Sequence, residues 1–216
     1  MLNLPTNASI TASMAPAAET SERMPDTVFT IGHSTHPQDW FIALLGQHGI
    51  TAVCDVRSMP YSRLNPQFNR ARLKEALRAC GISYIFLGKE LGARSEDPSM
   101  YENGKVQFDR LARTDLFREG LDRVLKGTKE HRIALMCVEK EPIDCHRTIL
   151  VARQVVAQGL AVQHIHAGGR IESHTQVIDR LKLRHGLPDS DLFRSSEQMV
   201  AEAYRLQEER MAYRAN

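Results

Sequence analysis

Five short β-rich runs divide this chain, and the stretches between them carry apolar residues at helical spacing. The runs are Val28 to Gly32, Ile50 to Val56, Ile82 to Leu87, 132–138 and Ala161 to Ile165. After the first, Thr35 with Gln38 fits a capping box, Pro37 falls in the first turn, and Trp40, Phe41, Leu44 and Leu45 share a helical face closed by Gly49. Arg70 to Cys80 sets Leu73 and Leu77 on one face before Gly81. Val106 to Lys126 turns Phe117, Leu121, Val124 and Leu125 inward, and Thr148 to Gln158 is the next helix. Alternation of this kind predicts a three-layer α/β fold: a mostly parallel sheet of about five strands, with helices on both faces and right-handed crossovers.

The carboxyl-terminal third differs in kind. Thr175 to His185 reads as a polar helix, Gly186-Leu187-Pro188 breaks it, and Ser195 with Gln198 forms a second capping box. Glu197 to Arg214 is then an amphipathic helix with Met199, Val200, Ala203, Leu206 and Met211 inward, packed on the domain surface or on a partner. Residues 88–106 are a long irregular loop, of the kind that is functional or mobile. Residues 1–26 are rich in Ala, Ser, Thr, Met and Pro without a period. They read as a disordered tail before one domain over 27–216; a start at Met14 or Met24 is the alternative.

The totals exclude several classes. A net charge of +2 gives no global field for nucleic acid, so any basic footprint is local. No apolar run approaches the ~20 residues that a membrane span needs, and the amino terminus has no secretory pattern. Cys54, Cys80, Cys137 and Cys145 are too few for a secreted disulfide scaffold and fit a reducing cytoplasm.

In an open parallel sheet, ligands sit at the carboxyl ends of the strands. The first run ends in His33, Ser34 and Thr35, and the second in Asp55, Arg57 and Ser58. The fourth ends in Cys137 and Glu139, followed by Cys145, His146 and Arg147 at the mouth of a helix. Arg63, Arg94 and Arg170 leave the same rim on loops. Arg forks and a helix amino end both suit phosphate or carboxylate. A thiol beside Arg, His and a helix amino end is a candidate nucleophile, although small Cys side chains also fill cores. Cys145 is better placed at the helix mouth and Cys137 at the strand end.

Two cysteine signatures can be tested directly. A phosphatase loop needs Arg six residues after Cys, but Ile143 and Val151 stand there. A rhodanese-like domain explains Asp55-Val56-Arg57-Ser58 after a strand, but the loop after Cys137 is too long and too acidic. Cys137, Cys145, His146 and His33 offer four soft ligands, yet the close pairing of structural zinc sites is absent and adjacent Cys145 and His146 ligate awkwardly together. No metal and no cofactor is therefore expected. Of the histidines near the fifth run, His164 reads as core and His166 and His174 as rim residues.

Several motifs stand in register: Thr30-Ile31-Gly32-His33-Ser34-Thr35, Asp55-Val56-Arg57-Ser58, Ser62-Arg63 with Pro66-Gln67-Phe68, and Cys137-Val138-Glu139-Lys140 through Cys145-His146-Arg147. With them, from about residue 28 onward, the chain resembles the domain-of-unknown-function 488 family. It departs at Ala93, where the family often has Gly, and around Ala167-Gly168-Gly169. The resemblance implies an α/β fold and a site built from these motif residues; it implies no reaction. The leading expectation is a site binding a phosphate-bearing ligand, a nucleotide or a nucleic-acid end. Arg57, Arg63 and Arg147 hold the anion, with Ser34, Ser58 and His146 beside it. Cys145 or Cys137 is the reactive thiol, Glu139 or His33 the acid/base, and Asp55 orients. A non-catalytic nucleic-acid-binding module and a thiol redox or metal sensor are the alternatives.

Overall fold

A computed structural model describes residues 27–215; the expected tail over 1–26 lies outside the described residues. The chain runs β1 (Thr27–Gly32), α1 (Gln38–Gln47), β2 (Ala52–Asp55), α2 (Arg70–Ala79) and β3 (Ser83–Phe86). A two-stranded hairpin, β4 (Tyr101–Glu102) and β5 (Lys105–Val106), precedes α3 (Phe108–Ala112), α4 (Asp115–Gly127) and β6 (Ile133–Cys137). After β6 a π-helical turn, Arg147–Ala152, leads into α5 (Arg153–Ala157). Then follow β7 (Ala161–Ile165), β8 (Ile171–Ser173), α6 (His174–Arg184) and α7 (Ser196–Met211).

The sheet has the order β3-β2-β6-β1-β7-β8. Its first five strands are parallel, and β8 runs antiparallel along the edge. All five residues of β6 are buried, as a strand covered on both faces requires. Alternate residues serve two cores. Phe29, Ile31, Val53 and Met136 pack under α1 and α2, while Val28, Cys54, Leu135 and Cys137 pack under α3 to α7. β1 and β2 therefore send their chains to one face, and β6, lying between them, sends its chain to the other. Such a reversal opens a crevice at the strand ends. Here it falls on both sides of the β6 terminus.

The architecture is three-layer α/β with a mostly parallel sheet, as the alternation predicts. Four local features differ. Strand β8 has only three residues, too few to show a period. The capping box at Thr35 and Gln38 does not form: Pro37 occupies the cap, and the Gln38 amide instead donates to the Gln67 carbonyl at 2.6 Å. The 106–126 helix is two helices. Thr114 ends α3 by donating to the Leu111 carbonyl and starts α4 by accepting from the Phe117 amide. The 88–106 loop contains the β4–β5 hairpin, and its end is held by the carboxyl-terminal segment, with the Val106 amide donating to the Tyr213 carbonyl at 3.0 Å.

Helix α7 packs on its own domain. The Ser195–Gln198 capping box is present, and Met199, Ala203 and Tyr204 are buried. His174 is buried rather than on the rim, because Tyr204 covers it. A closed row links Thr30 Oγ1 to His164 at 2.8 Å, His164 to His174 at 3.0 Å, and His174 to the Tyr204 hydroxyl at 2.8 Å.

Candidate functional site

The three strand ends meet. The His33 amide donates to the Cys137 carbonyl, the Ser34 amide to the Val138 carbonyl, and the Val56 amide to the Met136 carbonyl. Ser34 turns the chain away from the sheet at φ 47°, and its backbone, half-buried, does the work there. Gly32 permits the closest approach: a Cβ on it would lie 1.9 Å from the Glu139 carbonyl oxygen. Two polar clusters form at this junction.

The first is a clamp. Arg57 donates from Nε and Nη2 to the two oxygens of Asp55 at 2.9 and 2.6 Å, and from Nη2 to the Phe68 carbonyl at 2.9 Å. Tyr84 donates to Asp55 Oδ2 at 2.7 Å. The His33 ring is stacked on Phe68 and donates from Nδ1 to the Ser34 carbonyl, so its Nε2 lone pair receives Arg57 Nη1 at 3.2 Å. Burial, then the Arg57 charge, pushes the His33 pKa down to about 4. Burial opposes the charge of Arg57, but the fork to Asp55 outweighs it and holds the guanidinium ionised. The lone pair that a general base would use is already engaged.

The second cluster holds the two thiols. Glu139 Oε2 bonds Cys145 Sγ at 2.9 Å and Cys137 Sγ at 3.2 Å. His146 Nδ1 lies 3.6 Å from Cys137 Sγ, while its Nε2 donates to the Val56 carbonyl at 2.9 Å. Cys137, Cys145 and His146 are all buried. Burial and the neighbouring Cys145 push the Cys137 thiol well up. At Cys145 burial acts upward too, but the bond from Cys137 and the charges of Arg147 and His146 bring it well below the usual thiol range. Burial and the Cys145 charge raise Glu139; His146 is raised by Cys145 against its own burial.

The remaining expected residues divide. Ser58 stands at the cleft and accepts from the Arg94 amide at 3.1 Å. Arg147 is fully buried, donating to the Glu139 carbonyl at 2.6 Å, and shapes the loop rather than facing a ligand. At the helix mouth the Thr148 and Ile149 amides are taken up, both bonding the Cys145 carbonyl. Arg63 is exposed on its loop and does not line the cleft.

The cleft has a volume of about 240 Å³. Arg57, Ser58, Arg94, Cys137, Glu139 and His146 line it, and Met211 and Tyr213 close one side. The Arg94 guanidinium lies 4.2 Å over the Tyr213 ring and, among the described residues, pairs with no carboxylate. A larger cavity of about 790 Å³ lies at the β3 edge between α2 and α4. Its walls are mostly apolar, and its one thiol, Cys54, is pushed up to about 12 by burial, so it lacks convergent reactive groups. Gln207 was not foreseen: buried on α7, it donates to the Ile143 carbonyl at 2.8 Å and fixes the loop before Cys145. Its signal was an amide one turn beyond Ala203 on an apolar stripe.

An open α/β sheet with a thiol–carboxylate–imidazole cluster at its switch-point crevice defines the class. The family model described as domain of unknown function DUF488 matches residues 38–154, more than half of the chain, and the chain belongs to that family. No curated protein and no solved structure matches it. Among the described residues, no helix is long and apolar enough to cross a membrane.

Proposed function

We propose that this chain is enzyme-like and takes a small phosphate-bearing ligand, a nucleotide or a nucleic-acid end, into the cleft beneath Arg94. The observation that carries the reading is the cleft itself: a guanidinium without a carboxylate partner stands over a floor of Cys137, Glu139 and His146. Arg94 then takes the part first given to Arg63 and Arg147, because its fork is free at the cleft, whereas Arg63 lies off the cleft and Arg147 is buried and donates to backbone carbonyls. Cys137 faces the ligand, and Cys145 stands behind it, joined through the shared carboxylate. Glu139 carries the proton; His33 and Asp55 hold Arg57 in place. The cleft is small, so it admits the reacting end. The rest of a nucleotide lies over the adjoining cavity of about 540 Å³, which shares Ser58 and Arg94. Non-catalytic nucleic-acid binding has less support, since Arg57 and Arg147 spend their charge inside the fold.

Calorimetric titration with inorganic phosphate and with nucleoside monophosphates tests this. Saturable binding is expected, weakened roughly tenfold or more in Arg94→Ala, as loss of a charge-assisted bond implies. Absence of binding, or binding indifferent to Arg94, removes the reading.

A further inference from the structure

We infer that Cys137, Cys145 and His146 form a three-ligand centre for a zinc-class divalent ion, with the fourth coordination position turned toward the cleft beside Glu139. The inference uses the same cluster as the proposed function but not its anion.

Four observations support it. First, Cys137 Sγ, Cys145 Sγ and a His146 ring nitrogen all lie within 4.8 Å of one another. A tetrahedral zinc with its usual bond lengths needs sulfur and nitrogen about 3.6 Å apart and two sulfurs about 3.8 Å apart. The Cys137 Sγ to His146 Nδ1 distance is 3.6 Å, already that of a tetrahedral site.

Second, the ring is set for ligation. His146 donates its Nε2 proton to the Val56 carbonyl at 2.9 Å, which aims the Nδ1 lone pair at the sulfurs. Metal-bound imidazoles commonly have such a backbone carbonyl behind them.

Third, the thiols are poorly served as they stand. Both are buried and both lean on one carboxylate oxygen. Neither Arg57 nor Arg147 bonds a sulfur: Arg57 donates to Asp55 and Arg147 to the Glu139 carbonyl. A divalent cation would give both sulfurs the strong partner that one shared carboxylate oxygen does not.

Fourth, adjacency does not keep Cys145 and His146 apart. Cys145 is extended, at φ −133° and ψ 139°, and His146 begins the helix at φ −61° and ψ −25°. At that bend, consecutive side chains reach one point. Two sulfurs and one imidazole, with an open position, is the donor set of a reacting zinc site rather than of a closed structural one. An ion held there could polarise a phosphoryl oxygen or activate water.

The full chain is purified under reductant, stripped with a chelator, and titrated with zinc and, separately, with cobalt. One ion per chain is expected, with a thiolate-to-cobalt charge-transfer band and tetrahedral visible bands. X-ray absorption on the zinc-loaded protein should show two sulfurs in the inner shell. Cys137→Ser and Cys145→Ser should each weaken binding by roughly 100-fold or more, a loss at least as large as that from a supporting residue, whereas Cys80→Ser leaves it unchanged. Because absorption is read on the unaltered chain, a misfolded variant does not rescue the idea. A sulfur-free shell, an ion-free chain at zinc saturation, or variants that bind as well as the parent would overturn it. Loss of phosphate binding alone leaves this inference standing and removes only the preceding one.

Discussion

The clamp and the thiol cluster lie side by side at the same strand ends and are wired in opposite ways. In the clamp each strong group meets a strong partner: the Asp55 oxygens receive Arg57 and Tyr84, and His33 is engaged at both ring nitrogens. In the cluster two thiols share one oxygen, and sulfur is a weak donor and acceptor. Satisfied networks make a fold rigid and specific. A cluster short of partners at the floor of a cleft is poised to take one up. The pairing teaches that burial and polarity do not by themselves mark a site; incomplete satisfaction does.

That contrast can be broken. Asp55→Ala strands the Arg57 charge inside the fold and should cost about 3–5 kcal/mol by denaturant titration, since an unpaired buried charge is among the heaviest single penalties. Acid should act on the clamp next. Unfolded His33 binds a proton near its ordinary pKa of 6.5 and the folded residue only near 4, so its contribution is intact above pH 6.5 and fades as pH falls toward 4. The loss is roughly 3 kcal/mol at about 1.4 kcal/mol per unit. His174, also pushed down to about 4 by burial, adds in the same direction. His33→Gln should flatten part of the pH dependence of the unfolding midpoint. Tyr84→Phe removes one bond to an oxygen that keeps Arg57, and should cost about 1 kcal/mol. Glu139→Gln should leave stability within about 1 kcal/mol, because it keeps shape and a hydrogen-bonding group, yet lower zinc affinity roughly tenfold. A Glu139→Gln penalty matching that of Asp55→Ala would erase the distinction.

The frame was legible because strands and helices announce themselves through period: Leu73 with Leu77, or Phe117 with Leu121, needed no tertiary knowledge. So was the meeting of three polar strand ends, since parallel strands after one another must finish on one edge. Ranking within that set was not legible. Arg57, Arg94 and Arg147 are alike as letters, and only packing shows that two of them are spent on Asp55 and on a carbonyl. His33 and His146 likewise look interchangeable until their donor bonds fix which nitrogen is free. Cys145 beside His146 argued against shared ligation because spacing says nothing of a bend from extended to helical backbone. Thr114 hid a helix break inside an unbroken apolar pattern, since a hydroxyl that caps and a hydroxyl that merely faces water read the same.

The hydrogen on Gly32 has a consequence of its own. Replacing it with a methyl group drives a carbon to 1.9 Å from the Glu139 carbonyl oxygen and 3.3 Å from the Arg147 guanidinium that holds that carbonyl. An alanine scan would therefore score residue 32 as indispensable although it touches no ligand and moves no proton. In this molecule, indispensability and participation come apart, and a map of essential positions would overstate the number of chemical actors.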